Sequence, residues 1–227
     1  VTGEQAVERM NTRKLVVATR NAGKKREFQQ MLGPLGYEVL SLTDYPDMPD
    51  IEETGTTFAE NAELKARATA EKLGLPVIAD DSGISVERLG GAPGVYSARY
   101  SGEHATDEAN IRKLLDELAK LGQEPEGEAK LPSGAVVRLL SEAAFICSIV
   151  HIDPTAGPDH DKLVAEGRLA GYVIDQLAGE GGFGYDPIFY VPEYGRTMAE
   201  LSAEEKNAIS HRGQALRQLM EQLRGQG

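Results

Sequence analysis

Two adjacent carboxylates, Asp80 and Asp81, follow the short apolar run Val77-Ile78-Ala79 and precede Ser82-Gly83. The run predicts a buried strand that delivers the acids into a Ser-Gly turn. Successive strand residues point to opposite faces, so the two acids are expected to do different jobs. In an open α/β sheet the carboxyl ends of strands face the ligand crevice. An ordinary turn, with Asp and Ser bonded to nearby backbone, would explain one acid. Two acids, with Gly90-Gly91-Ala92-Pro93-Gly94 shortly behind them, point to a site. Glu53, at the entry to Thr54-Gly55-Thr56-Thr57, is the further acid that could share a metal with Asp81.

Three other segments carry residues suited to a phosphorylated ligand. Thr19-Arg20-Asn21-Ala22-Gly23-Lys24 joins an apolar run, Lys14–Ala18, to a helix predicted from Gly23 to Gly33-Pro34. A strand, a polar turn and a helix start place free N–H groups and the helix dipole toward an anion, and lysines add charge. The pattern G-x-x-x-x-G-K-[ST] is absent, so this is not a P-loop; a capped surface helix with solvated lysines has the same spacing. Gly182-Phe183-Gly184-Tyr185-Asp186-Pro187 suits either a hairpin with buried aromatics or a loop that stacks Phe183 or Tyr185 on a base, with Asp186 at a sugar or base edge. Lys206, His211 and Arg212 would spread around one continuous helix and share nothing. A break near Ser210, capping a second helix, would bring them together; a basic surface patch is the alternative.

The elements that must position these residues read as alternating strands and helices. Tyr37–Leu42 reads as a strand, and Thr57-Phe58-Ala59-Glu60 as a capping box. The box opens a helix with the stripe Phe58, Ala62, Ala66, Ala70 and Leu73, which ends at Gly74-Leu75-Pro76. Thr106–Leu121 is an amphipathic helix, and Gly122–Gly134 reads as a flexible connector. Val136–Ile152 and Leu163–Ile174 look like an antiparallel pair, a second lobe or dimer surface, around an Asp153–Lys162 loop. The class is α/β: residues 1–12 are expected to be a loose leader and 13–227 a single two-lobed domain.

The chain has 227 residues, 41% of them apolar and 26% charged, with a net charge of −12. That charge argues against a polynucleotide partner, which needs a broad basic surface, but not against a small polyanion held by local lysines, arginines and a metal. No run approaches the roughly 20 apolar residues of a membrane span, and Val1-Thr2-Gly3-Glu4 is not a signal-peptide start. The single cysteine, Cys147, reads as a small buried hydrophobe, and one cysteine forms no internal disulfide, which fits the cytoplasm. His104, His151 and His160 lack metal-ligand spacing and are read as non-catalytic.

Together the segments resemble one family. They are Thr19-x-Asn21-x-x-Lys24-x-x-Glu27, Glu52-Glu53-Thr54-Gly55, Phe58-x-Glu60-Asn61-Ala62, Ala79-Asp80-Asp81-Ser82-Gly83 with Gly90–Tyr100, Gly182–Pro187, and Glu205-Lys206-x-x-x-Ser210-His211-Arg212. In this order, over roughly Lys14 to Leu223, they resemble the inosine triphosphate pyrophosphatases, also called dITP/XTP pyrophosphatases. Departures are mild: Arg20 replaces a small or variable residue, Leu169 stands where tryptophan is frequent, and loops 122–134 and 153–162 look longer than usual.

The resemblance implies an elongated mixed β-sheet flanked by helices, two lobes around a central cleft, and a homodimer. It implies Mg²⁺-assisted hydrolysis of ITP, dITP and XTP to monophosphate and pyrophosphate. By position, Asp81 resembles the general base and a metal ligand, and Glu53 the second metal-site acid. Thr19, Arg20, Asn21, Ala22, Gly23, Lys24, Ser82, Phe183, Gly184, Tyr185, Asp186, Lys206, His211 and Arg212 resemble the substrate contacts. Two rival readings are a pyrophosphatase for modified pyrimidine nucleotides and a nucleotide-binding module without turnover.

Overall fold

The computed structural model describes residues 13–157 and 161–225, so the expected leader 1–12 and His160 lie outside the described residues. One eight-stranded sheet runs through the described chain, in the order β2-β1-β3-β5-β6-β7-β8. The strands are β1 (Arg13–Val17), β2 (Tyr37–Ser41), β3 (Val77–Val86), β4 (Gly127–Lys130), β5 (Val136–Ile152), β6 (Lys162–Ile174), β7 (Phe189–Val191) and β8 (Arg196–Thr197). β1 pairs in parallel with β2 and with β3; the remaining ladders are antiparallel, and β4 pairs with β5. Such a mixture is expected where helical crossovers join the first strands and tight turns the later ones.

Among the described residues five α-helices flank the sheet: α1 (Ala22–Leu32), α2 (Phe58–Leu73), α3 (Asp107–Lys120), α4 (Ala203–Ile209) and α5 (His211–Gly225). Side-chain alternation in the strands divides the first half of the core into two layers. Leu15, Val17 and Ile78 pack with Phe28 and Leu32 of α1 and Leu216 and Leu219 of α5. Val16, Ala18, Val77 and Ala79 pack on the opposite face against Ala62, Ala66 and Ala70 of α2. The alanine stripe brings α2 close to the sheet. A third core, where Ile84 and Val86 meet Leu114 and Leu118 of α3, fills the far end.

Three expectations change. Asp80 and Asp81 lie within β3, which continues to Val86 instead of ending in a turn, because β5 pairs with every residue from Val77 to Val86. Gly122–Gly134 is not simply a connector, since it contains β4, laid antiparallel on β5. Between these two, Gly94–Arg99 forms a 3₁₀ turn. The capping box on α2 forms by half: Thr57 Oγ1 accepts from Glu60 N–H, but the Glu60 carboxylate accepts from Thr56.

Candidate active site

The site arises from a mismatch in strand length. Pairing between β1 and β3 ends where Ala18 N–H donates to the Ile78 carbonyl at 2.8 Å, and β1 turns away into α1. Beyond that point no strand of the described residues lies beside one edge of β3, and other groups satisfy its backbone. Lys65 Nζ donates to the Asp80 carbonyl at 2.7 Å, and Ser82 N–H to Asp81 Oδ1 at 3.0 Å. Ile84 N–H donates to Ser97 Oγ at 2.9 Å. A Cβ on Gly83 would stand 2.4 Å from the Gly94 carbonyl oxygen, so only glycine lets the 94–99 turn cross here. A cavity opens along this exposed edge, with Asp81, Ser82 and Gly83 on one wall.

The two acids do diverge. Asp80 shares the face of Ile78, toward α1 and α5, and is fully buried. Its Oδ2 lies 3.1 Å from Lys24 Nζ and accepts from Arg212 Nη2 at 3.1 Å and from Ser82 Oγ at 3.3 Å. Burial opposes ionisation of Asp80, but Lys24, Arg212 and Lys65 outweigh it and hold the carboxyl far below the usual carboxylate range. Asp80 is thus a permanent anion that aligns cations and cannot take up a proton at neutral pH.

Asp81 shares the face of Ala79, toward α2. Its Oδ2 is buried without a hydrogen-bond partner among the described residues, as is Asn61 Nδ2. Burial first, and the Glu53 charge, raise its pKa; the Lys65 and Lys24 charges and the nearby Asn61 amide pull the other way. A carboxylate with a raised pKa and one uncommitted oxygen suits a general base. Glu53 lines the same cavity, 2.8 Å from Lys65 Nζ and 3.4 Å from Arg99. Burial alone would raise the Glu53 pKa, but Lys65, Lys24 and Arg99 keep it below its usual value.

The start of α1 forms the next wall. Asn21 caps the helix, its Oδ1 accepting from Lys24 N–H at 3.0 Å, and both Asn21 and Lys24 line the cavity. A Cβ on Gly23 would stand 2.6 Å from the Phe183 ring, so glycine is what lets the aromatic loop close over α1. Gly23→Ala, ordinarily a gain in a helix, is expected here to lower unfolding stability by about 1–3 kcal/mol through overpacking. Urea titration reads this directly, and a stabilised variant would mean that the ring does not rest there.

The rest of the lining is aromatic and cationic. The ring of Phe183 lies 4.6 Å from Lys206 Nζ and 5.7 Å from the Arg212 guanidinium. Tyr185 is buried and donates its hydroxyl to the Ser97 carbonyl at 2.6 Å. Asp186 accepts from Phe183 N–H at 3.1 Å and lies 2.7 Å from Lys206 Nζ; burial raises its pKa more than Lys206 lowers it. Glu27 bridges Lys206, at 2.6 Å, and Arg212.

The expected helix break exists: Ser210 ends α4 and its Oγ accepts from Gly213 N–H at 3.0 Å, starting α5. It gathers Lys206, His211 and Arg212 at one cavity. His211 stacks on Phe145 with centroids 4.9 Å apart, and its Nδ1 is buried without a partner among the described residues. Burial first, then the Arg212 and Lys206 charges, push its pKa well below the usual value, so the ring is neutral.

Four residues expected at the substrate, Thr19, Arg20, Ala22 and Gly23, are absent from the cavity lining. Arg20 bonds Asp50 and the Leu42 and Met48 carbonyls, clasping the 42–50 loop outside the cavity lining. Arg20 is long enough to cross to that acidic stretch, and its donors are occupied there. Thr19 is buried and accepts from Asn21 N–H at 3.1 Å, shaping the turn. Ala22 and Gly23 put no side chain on the lining and can offer only their backbone N–H groups at the start of α1.

Conversely, Lys65, Asp107 and Asn110 escaped the sequence reading, and Glu27 figured there only as the last residue of a motif, without a role. The row Asn61, Lys65, Thr69, one residue behind the alanine stripe at four-residue spacing, was the available signal for Lys65. Neither His104 nor His151 lines the cavity. Cys147 is fully buried, its thiol pushed up to about 12 mainly by burial, as a structural hydrophobe requires.

Among known proteins, the dITP/XTP pyrophosphatase of Geobacillus kaustophilus is 50% identical over 210 residues, 92% of this chain and 94% of that protein. A longer Streptococcus pyogenes protein of the same name is 48% identical over 91% of this chain, which spans 58% of that relative. A HAM1 protein structure from Coxiella burnetii superposes with a TM-score of 0.77 at 42% identity, covering 94% of this chain and 99% of that one. With the Ham1 family model matched over residues 15–222, a span that contains every cavity-lining side chain described above, the chain belongs to the Ham1 family.

Proposed function

We propose that this chain hydrolyses the non-standard purine nucleoside triphosphates dITP, ITP and XTP to the monophosphate and pyrophosphate. The observation that carries this reading is one cavity lined by two chemically distinct sets of groups: Asp81, desolvated and with one oxygen unpartnered among the described residues, and the aromatic side chains with the neutral His211. The triphosphate lies along the start of α1, where N–H groups and Lys24 meet its charge. Asp81 Oδ2 takes the proton of the attacking water as its oxygen bonds the α-phosphorus, and the bond to the bridging oxygen breaks to release pyrophosphate. Lys65 holds Glu53 and the Asp80 carbonyl in place.

Asp81 and Glu53 are the residues that would hold Mg²⁺. Their donor set fits, because Mg²⁺ uses one or two carboxylates and completes its shell with water and substrate phosphate. No group of three or more His, Cys, Asp or Glu is placed to hold a metal unaided among the described residues. When bound, Mg²⁺ neutralises charge on the phosphate oxygens.

At the base end, Phe183 stacks on the purine and His211 donates to the 6-keto oxygen. Arg212 is less suited, because its nitrogens already serve Asp80, Glu27 and Ser82. An adenine 6-amino group would leave the His211 donor unpaired, which is the basis of discrimination. The enzyme works in the cytoplasm as a homodimer without polynucleotide or membrane partners; among the described residues no helix is long and apolar enough to cross a membrane.

Product analysis with ITP, XTP, GTP, ATP and dUTP, with and without Mg²⁺, tests this reading. Pyrophosphate from ITP and XTP alone, and only with Mg²⁺, is expected. Orthophosphate, equal rates on all bases, or preference for dUTP would overturn it.

A further inference from the structure

The loop of residues 179–184 carries Phe183 on a backbone that glycine makes pliant, with Gly182 at φ +71° and Gly184 at φ +62°. Three backbone N–H groups of the loop donate to residues beyond it, one of them Phe183 N–H, to Asp186 Oδ2 at 3.1 Å. Gly181 N–H donates to the Ala199 carbonyl at 3.0 Å, and Gly184 N–H donates to Asp107 Oδ2 at 2.8 Å. Asp107 belongs to the first turn of α3, on the opposite wall of the cavity. One turn further, Asn110 holds that wall itself: its Oδ1 accepts from Ser101 N–H at 2.9 Å and its Nδ2 donates to the Ala98 carbonyl at 3.1 Å. Behind the loop, Gly181 and Gly182 share an open cleft with Ile111 and Leu115 of α3.

We propose that Asp107 is a positioning residue for base recognition, its carboxylate latching Gly184 N–H and thereby holding the Phe183 ring against the cavity. The inference deepens the function proposed above and rests on it for its kinetic form. Asp107 hydrogen-bonds the residue next to Phe183, while proton transfer belongs to Asp81 on β3. Release of the latch therefore weakens nucleotide binding and spares the chemical step. A carboxylate is well chosen for this, since a bond from backbone N–H to an ionised acceptor is stronger than a neutral one.

The test compares Asp107→Ala, Asp107→Asn and Glu108→Ala in ITP hydrolysis and in amide hydrogen exchange. Asp107→Ala is expected to raise KM about tenfold, the loss of one charge-assisted hydrogen bond, with kcat within about twofold. Exchange in peptides covering 179–186 quickens. Asp107→Asn keeps an acceptor oxygen and restores most of both values. Glu108, the other first-turn acid of α3, is exposed and paired with Arg112 at 2.8 Å; its removal loses the same favourable helix-end charge but no latch, and leaves KM unchanged. An unchanged KM in Asp107→Ala, a fall in kcat alone, or the same KM rise in Glu108→Ala overturns the proposal. A wild-type protein that releases no pyrophosphate from ITP overturns the function instead. Unaltered exchange in Asp107→Ala then still refutes the latch, and quickened exchange sustains it.

Discussion

Asp81→Asn is expected to reduce kcat for pyrophosphate release from ITP by about 10²–10⁴-fold, the usual contribution of a positioned general base. Asn keeps the size of the side chain and an oxygen for the Ser82 N–H, so the geometry of β3 survives. It removes only the capacity to accept a proton and one carboxylate of the Mg²⁺ site. Stability should not fall, because the wild-type carboxylate is already penalised by burial, as its raised pKa shows. A thermal midpoint at or slightly above wild type, alongside the lost turnover, would separate chemistry from folding. Retention of kcat would remove Asp81 from the proton transfer. The same measurement on Asp80→Asn distinguishes the two neighbours: Asp80 touches Lys24, Arg212 and Ser82, so its neutralisation disturbs the charge network before it disturbs chemistry.

Arg212→Ala is expected to lower unfolding stability by about 3–5 kcal/mol, because removal of one member strands the buried charges that faced it. Arg212 is almost completely buried between Asp80 and Glu27. Burial pushes both acids upward, yet the opposing cations hold both below their ordinary values. Carboxylates with depressed folded pKa values contribute stability above their unfolded pKa, and that stability drains away as pH falls through the folded value. Wild-type stability should therefore decline once pH drops below about 4. Asp186 and Asp81 have raised values, gain protons earlier in the folded state and work against this decline. In Arg212→Ala the decline should be shallower, since part of the depression is gone. Urea midpoints at pH 7, 5 and 3.5 for both proteins check magnitude and slope together; equal midpoints at pH 7 would show that Lys24 and Lys206 suffice to hold the network.

Much of the candidate site was legible in the sequence because the relevant physics is local. A buried apolar run fixes side-chain alternation, so Asp80 and Asp81 had to face different layers, and they do. Ser210 interrupts a helix by capping the next one, so Lys206, His211 and Arg212 could converge only through that break. Caps and apolar spacing likewise located α1, α2 and α3 to within a residue or two of their ends.

What only the tertiary structure decided is pairing between distant segments, for which sequence carries no local signal. The length of β3 depends on β5, about seventy residues away, and the opening of the cavity depends on β1 ending before β3 does. Arg20 lies beside the helix that binds phosphate in this reading, yet its reach lets it close on Asp50. Glu27, Lys65 and Asp107 look like solvated helix charges in sequence, and become site residues only because the fold lays a cation or a backbone N–H against each. Periodicity determines which way a side chain points; long-range packing determines what it meets there.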